Sequence, residues 1–315
     1  MIVIFMIVIV MIVIFKTSVP ARGRPISADT ARDRWSGGSM SRPAAVMLGE
    51  PVASKMFAWI TVSPAYAGSE WSNRTDRTSP MMENIKLLST TAMKTAIDTL
   101  VAAYERDSGR QLTAFYAPSA QIAARVAGGE PADVAITTCE RIEDLVREGH
   151  VDGKTCAPIA RSRIGVAVRK GAPRPDLSSV DAFVRALLGA KSIAMSNPVG
   201  GGASGAHMWS VFERLGIAAA LRPKTLFGPG GPAGLIGFYL LRGEAEIGLQ
   251  QMSELMAVEG IDVVGPVPAE IQLVSVFTAG ICARTKIPAA AQSLLDFLKT
   301  PAAAAALRSA GLEPA

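Results

Sequence analysis

The sequence predicts an α/β protein in which a parallel sheet is covered by helices. Three observations carry that prediction. From Ile85 onward, short apolar runs of strand length alternate with longer stretches whose apolar residues recur at helical spacing. Most junctions between the two hold glycines or hydroxyl residues, which are turn and cap chemistry. The 315-residue chain is 49% hydrophobic, enough to bury a sizeable core.

Taken in order, "IKLLST" (85–90) reads as the first strand. The helix after it carries Ala92, Ala96, Ile97, Leu100, Val101 and Tyr104 on one face and stops at Gly109. "QLTAFYAP" is a strand, and "SAQIAARVAGG" is a short helix closed by Gly128 and Gly129. "ADVAITT" is a strand, "RIEDLVREG" a helix with early acids, and "RIGVAVRKG" a strand. The scheme repeats with strand "KSIAMSN", helices "SGAHMWSVFERLG" and "AGLIGFYLLRGE", and strands "AEIGLQQ" and "DVVGPVP". "IQLVSVFTAGICART" is a long strand, and two closing helices are split at Pro301.

Residues 1–82 stand apart from this pattern and read as a disordered, low-complexity leader. Its pentad repeat, "MIVIFMIVIVMIVIF", would span about 22 Å as a helix, short of a ~30 Å hydrocarbon core. Lys55, the run "MFAWITVSP" and the small residues Ala65 and Ala67 fit an export signal with an A-x-A cleavage site, hence a periplasmic protein. Translation from Met82 would instead give a cytoplasmic one.

Charge and cysteine usage exclude several classes. The net charge is +5, yet from Met82 onward there are 23 Lys and Arg against 22 Asp and Glu. A near-neutral body offers nothing to nucleic acid. Cys139, Cys156 and Cys282 form no CxxC pair and are expected to be buried as small hydrophobes. With only His150 and His207 beside them, no metal site and no cofactor is expected.

The strand-to-helix junctions share a design. Ser89, Thr90 and Thr91 crowd the first, and Ser119 opens the next helix. "SNPVGGGASGAHMW" places glycines and Ser204 before a third, and "LFGPGGPAGLIGF" places Pro232 and Ala233 before a fourth. Each hydroxyl taken alone is explained by capping. Four such junctions on one alternating chain point to an anion site built from helix N-termini and hydroxyls, with no Lys or Arg beside them. "GGGASG" lacks the Lys-Ser/Thr of a P-loop. Ser119, His207 and Asp133 lack the G-x-S-x-G elbow of a hydrolase, so no enzyme is expected.

"APSAQIAARVAGGEPADVAIT", "GEAEIGLQQMSEL" and "FLKTPAAAAALRSAGLEP" resemble the solute-binding proteins of bacterial ABC importers, in particular the molybdate-binding family. The resemblance covers about 85–315 and implies a two-lobed, type 2 periplasmic-binding fold with two hinge crossings, near "PIARSRIGVAV" and "IQLVSVFTAG". It implies one lobe from 83–163 and 275–315 and another from 164–274. It places ligand-binding hydroxyls within Ser89–Thr91 and on Ser119, and backbone donors near Ser204 and Ala233. Gln251 stands where the family usually has a cleft tyrosine. The implied function is capture of a small oxyanion, molybdate or tungstate, by a monomer that delivers it to an ABC permease in the membrane. Gln251 motivates the alternative, a cytosolic or exported binding or sensor protein for a small organic anion.

Overall fold

The computed structural model describes residues 84–200 and 202–315. The expected leader, 1–82, lies outside the described residues. The chain runs β1 (Asn84–Thr90), α1 (Lys94–Ser108), β2 (Gln111–Ala117), α2 (Ser119–Ala127), β3 (Val134–Thr138), α3 (Cys139–Arg147) and β4 (Ala157–Arg169). It continues through α4 (Val180–Gly189), β5 (Ile193–Ser196), α5 (Ala203–Arg214), α6 (Ala218–Leu221), β6 (Thr225–Gly228) and α7 (Gly237–Leu241). Then come β7 (Ile247–Gln251), α8 (Met252–Met256), β8 (Ile261–Pro266) and β9 (Val274–Ile281). The chain closes with α9 (Pro288–Phe297), α10 (Pro301–Ser309) and β10 (Glu313–Pro314).

The strand order is β2-β1-β3-β9-β4-β7-β5-β6, with β8 and β10 also paired to β4. β1 is parallel to β2 and β3, and β5 is parallel to β6 and β7. β9 runs antiparallel to β3 and β4, as β4 does to β7 and β8. The sheet is therefore mixed where the sequence predicted a parallel one. The cause is β4, which is shared between two lobes: Ala157–Arg163 pairs with β9, and Ile164–Arg169 pairs with β7 and β8. β4 and the segment 267–273 leading into β9 are the two crossings of a two-lobed, type 2 binding-protein fold.

Each lobe has its own core on both faces of its sheet. In the first, Ile85, Leu87 and Ile136 pack on Ile97, Leu100 and Tyr104 of α1, while Leu88 and Ala135 pack on Ile122 of α2 and Leu145 of α3. In the second, Ile164, Ile193 and Leu249 meet Phe183 and Phe212, and Ala167 and Ala194 meet Ile236, Leu240 and Leu255 on the other side. Burial on both faces is why these strands read as nearly unbroken apolar runs. Each large side chain so buried contributes roughly 1.5–3 kcal/mol.

Several elements differ from expectation. "AGLIGFYLLRGE" is broken, because Gly231 has φ 75° and Leu235 is extended, leaving a 3-10 turn at Pro232–Gly234 before α7. The long strand expected from Ile271 starts at Val274, since Pro268 opens a 3-10 turn over Ala269–Ile271. Helices α4 and α8 and strand β6 were not anticipated; α8 and β6 are only five and four residues long. Cys282 is buried, but Cys139 and Cys156 are only half-buried. His207 is a packed helix residue whose Nε2 lies 2.9 Å from the Ile271 carbonyl.

Candidate functional site

Strand ends and helix starts from both lobes converge on one pocket. The first lobe supplies Thr90, Ala92, Pro118, Ser119 and Phe277; the second supplies Ser196, Gly202, Ala203, Gly230, Gly231, Gln251 and Glu254. The space between them, counted out to where it opens to solvent, is about 320 Å³, so the solute it takes is small. A wider surface groove of about 1040 Å³, along Arg169, Pro173 and Ala245, belongs to the second lobe alone. The lobes meet over the pocket. A Cβ on Gly230 (φ 77°) would sit 2.6 Å from Pro118 Cγ, and Gln121 Nε2 lies 3.5 Å from the Gly200 carbonyl.

The hydroxyl run at the end of β1 divides by strand geometry, because successive side chains point to opposite faces. Thr90 lines the pocket, and its Oγ1 is 3.0 Å from Ser119 Oγ across the two junctions. Ser89 is buried away from the pocket, its hydroxyl donating at 3.4 Å to the Thr90 carbonyl. Thr91 is buried in the turn before α1, and its Oγ1 has no protein partner.

None of these hydroxyls caps a helix. Ser119 is the first residue of α2, and the N-cap is Pro118, which has no side-chain donor or acceptor to offer. There is no side-chain cap bond at Thr90 or at Gly202 before α5 either. Helices α4 and α10, which start away from the pocket, are capped normally: Ser179 Oγ accepts from the Ala182 N–H and Thr300 Oγ1 from the Ala303 N–H. At the pocket, the uncapped N-termini of α2 and α5 face in with free N–H groups and about half a positive charge each.

The second lobe presents backbone where the sequence suggested side chains. Ser204 lies one residue inside the pocket lining, 2% exposed, with an unpartnered Oγ. Gly205 explains its depth: a Cβ there would sit 2.3 Å from the Ser196 carbonyl oxygen, so the first turn of α5 rests directly on the end of β5. Ala233 is exposed and outside the pocket. Gly230 and Gly231, both at positive φ, carry the chain past the pocket two residues earlier.

Gln251 ends β7 and lines the pocket, 4% exposed. Its Nε2 donates to Ser275 Oγ at 2.8 Å, and its Oε1 has no partner in the protein. The hydroxyls and helix N-termini are donors, and Gln251 adds an unpaired acceptor to them. Because a hydroxyl both donates and accepts, rotating the amide would keep the Ser275 bond and turn the NH₂ inward. Three residues on, Glu254 occupies the third position of α8 and is the one titratable group among the described residues on the pocket wall. Its carboxyl is pushed up to about 8 by desolvation, partly offset by a hydrogen bond from the Gln251 N–H. Sequence reasoning missed it, although an acid three residues after a strand end is half of a capping box. Among the described residues, no Lys, Arg or His lines the pocket. The arrangement can hold a small anion with neutral donors from two lobes and can exchange a proton with it through one carboxyl.

Residues 85–313 match the family described as bacterial extracellular solute-binding protein. The structure superposes on the periplasmic molybdate-binding protein of Azotobacter vinelandii with a TM-score of 0.60 at 20% identity, covering 72% of this chain and 98% of that one. A periplasmic thiamin-binding protein superposes with a TM-score of 0.62 at 15% identity, covering 76% and 85%. At such identities these establish the fold, and their differing solutes show that the fold does not choose the ligand. In sequence, the chain is 35% identical over 236 residues to a Pseudomonas sp. protein named aconitate isomerase, covering 73% of this chain and 87% of that protein. That relative overturns the expectation that the chain is no enzyme, an expectation drawn from the absence of hydrolase motifs, which proton-transfer chemistry does not need. The fold, the pocket between the lobes and the match over 85–313 agree: this chain belongs to the bacterial extracellular solute-binding proteins.

Proposed function

We propose that this protein is an isomerase that binds a small unsaturated polycarboxylate of the aconitate type and interconverts its cis and trans forms. The observation that carries the reading is the 35% identity to aconitate isomerase across 87% of that protein's length. The pocket supports it with anion-holding donors on both lobes and a carboxyl set among them. Aconitate has a double bond and a methylene on either side of one central carbon, each arm ending in a carboxylate. Moving a proton from the methylene to the far alkene carbon shifts the double bond and regenerates the same constitution. If the methylene arm is held in the orientation opposite to the existing double bond, the product has the other geometry. The fold's task is to fix both arms, which two lobes closing from opposite sides are suited to do. The protein acts outside the cytoplasmic membrane, as the family description implies.

A second reading, capture of molybdate or tungstate for an ABC permease, draws on the cation-free set of hydroxyls and helix N-termini. Purified protein is mixed with cis-aconitate and followed by proton NMR, with calorimetry against both aconitates, molybdate, tungstate, sulfate and phosphate alongside. Catalytic appearance of the trans isomer is expected, with aconitate binding more tightly than any tetrahedral oxyanion. Tight molybdate binding with no aconitate binding or turnover would replace the first reading with the second.

A further inference from the structure

Glu254 has a place in the pocket that binding alone does not explain. A carboxylate repels an anionic ligand, and no Lys, Arg or His among the described residues lines the pocket to offset it. The elements packed against α8 are β4, β7, β8 and the turn Thr91–Met93. Their charged residues are Arg161, Arg163 and Arg169, all exposed on β4, and Asp262 on β8, which accepts from the Gly171 N–H. None of these lines the pocket. A carboxyl in such surroundings is tolerated when it is uncharged, or when it takes a proton from what it binds.

Resting on the isomerase reading, we infer that Glu254 is the single catalytic base of the pocket, taking the methylene proton of the bound polycarboxylate and returning it to the other end of the same three-carbon system. The Glu254 carboxylate accepts the proton as the C–H bond breaks. The electron pair spreads over the three carbons and the carboxylates they carry. The same carboxyl then gives the proton to the far carbon, a C–H bond forms there, and the carboxylate is regenerated with the double bond moved. No electrons leave or enter, and no co-reactant is required. One base serves both carbons because they flank a single atom. The Gln251 N–H favours the charged form of this carboxyl and so eases its change of charge. The unpartnered Gln251 Oε1 supplies an acceptor on the same pocket wall.

The test uses the full chain and its Glu254→Gln and Glu254→Asp variants with cis- and trans-aconitate. Glu254→Gln keeps an oxygen for the Gln251 N–H and should fold, which a thermal melt checks. It should lose at least about a hundredfold in isomerisation, the scale of a missing general base, and hold trans-aconitate within about tenfold of wild type. Glu254→Asp, with the carboxyl drawn back, should keep part of the rate. Wild-type kcat should rise with pH through about 8, because the base works ionised in the closed complex, and a merely structural Glu254 would leave no such inflection. Glu254→Gln turning over within a few-fold of wild type overturns the inference and leaves the isomerase reading standing. Loss of binding and turnover together in that variant makes Glu254 a binding group and overturns its role as base. A wild type that neither binds nor converts either isomer overturns both.

Discussion

Replacing Glu254 by glutamine should make the protein more stable at neutral and alkaline pH and leave it unchanged in acid. The carboxyl is raised from an ordinary 4.5 to about 8 in the folded chain, chiefly by desolvation. Below about pH 4.5 folded and unfolded chains both carry the proton, so the wild type has its full stability there. As pH climbs from 4.5 toward 8, the unfolded chain ionises freely while the folded one resists, and stability drains away. Above 8 the loss is complete. At about 1.4 kcal/mol per pH unit the full shift corresponds to about 5 kcal/mol. Glu254 is only half-buried, and solvent screening brings the expected figure to about 2–3 kcal/mol. Glutamine has the same shape and no proton to lose, so the variant lacks this slope. Urea unfolding of both proteins at about pH 4 and about pH 9 reads the difference directly, since every other titrating group cancels between them. A gap that is the same at both pH values would refute the reasoning, because the desolvated carboxyl is its only pH-dependent source.

Two further outcomes test the geometry of the pocket. Thr90→Val and Ser119→Ala should each weaken aconitate binding by about 1–3 kcal/mol. Their double-mutant cycle in unfolding should show a coupling of about 1 kcal/mol for the 3.0 Å hydroxyl pair, and zero coupling would mean the two hydroxyls do not touch in solution. Gly230→Ala puts a Cβ 2.6 Å from Pro118 Cγ across the lobes, so calorimetry should show affinity falling tenfold or more. Adding Pro118→Ala should restore much of that loss, and no rescue would place the defect in the Gly230 backbone and not in lobe closure.

How much of this was legible in the sequence depends on the length scale of the signal. The helices α1, α2, α3 and α5 were visible because burial on one face leaves a periodic trace over several turns, and the strands β1, β2, β3 and β7 because each holds a short apolar run bounded by polar or turn residues. α8 was not, since five residues barely exceed one helical turn, and neither was β6, whose four residues include only two buried positions. The antiparallel joints at β4 and β9 were invisible for a different reason: an apolar run looks alike whichever way its neighbour points. At the pocket, Thr90, Ser119 and Gln251 were singled out and do line it, whereas Ser89 and Ala233 were singled out and do not. Ser89 differs from Thr90 only in strand parity, and the register that decides parity is a tertiary fact. Ala233 was displaced by two positive-φ glycines whose path the sequence leaves open. Glu254 carried the weakest signal of all, because an acid at the third position of a helix reads as ordinary capping until the wall it faces is known.

That weakness also explains why binding and catalysis are hard to tell apart in this fold. The hydroxyl pair sits on the first lobe and the carboxyl on the second. With the lobes apart, each group faces water, and Glu254 has no reason to hold a proton beyond the usual range of a carboxylate. Closure does two things at once. It brings the anion, held by Thr90, Ser119 and the start of α2, against α8, and it removes the water that kept Glu254 acidic. A base that is strong only in the closed form reacts only with a ligand enclosed beside it, so the lobe contact at Pro118 and Gly230 governs chemistry as well as affinity. On this account a binding pocket becomes an isomerase by gaining one carboxyl at a lobe junction. The variant that props the lobes apart should therefore lose the inflection near pH 8 along with its affinity, whereas a variant that merely weakens a donor should keep it.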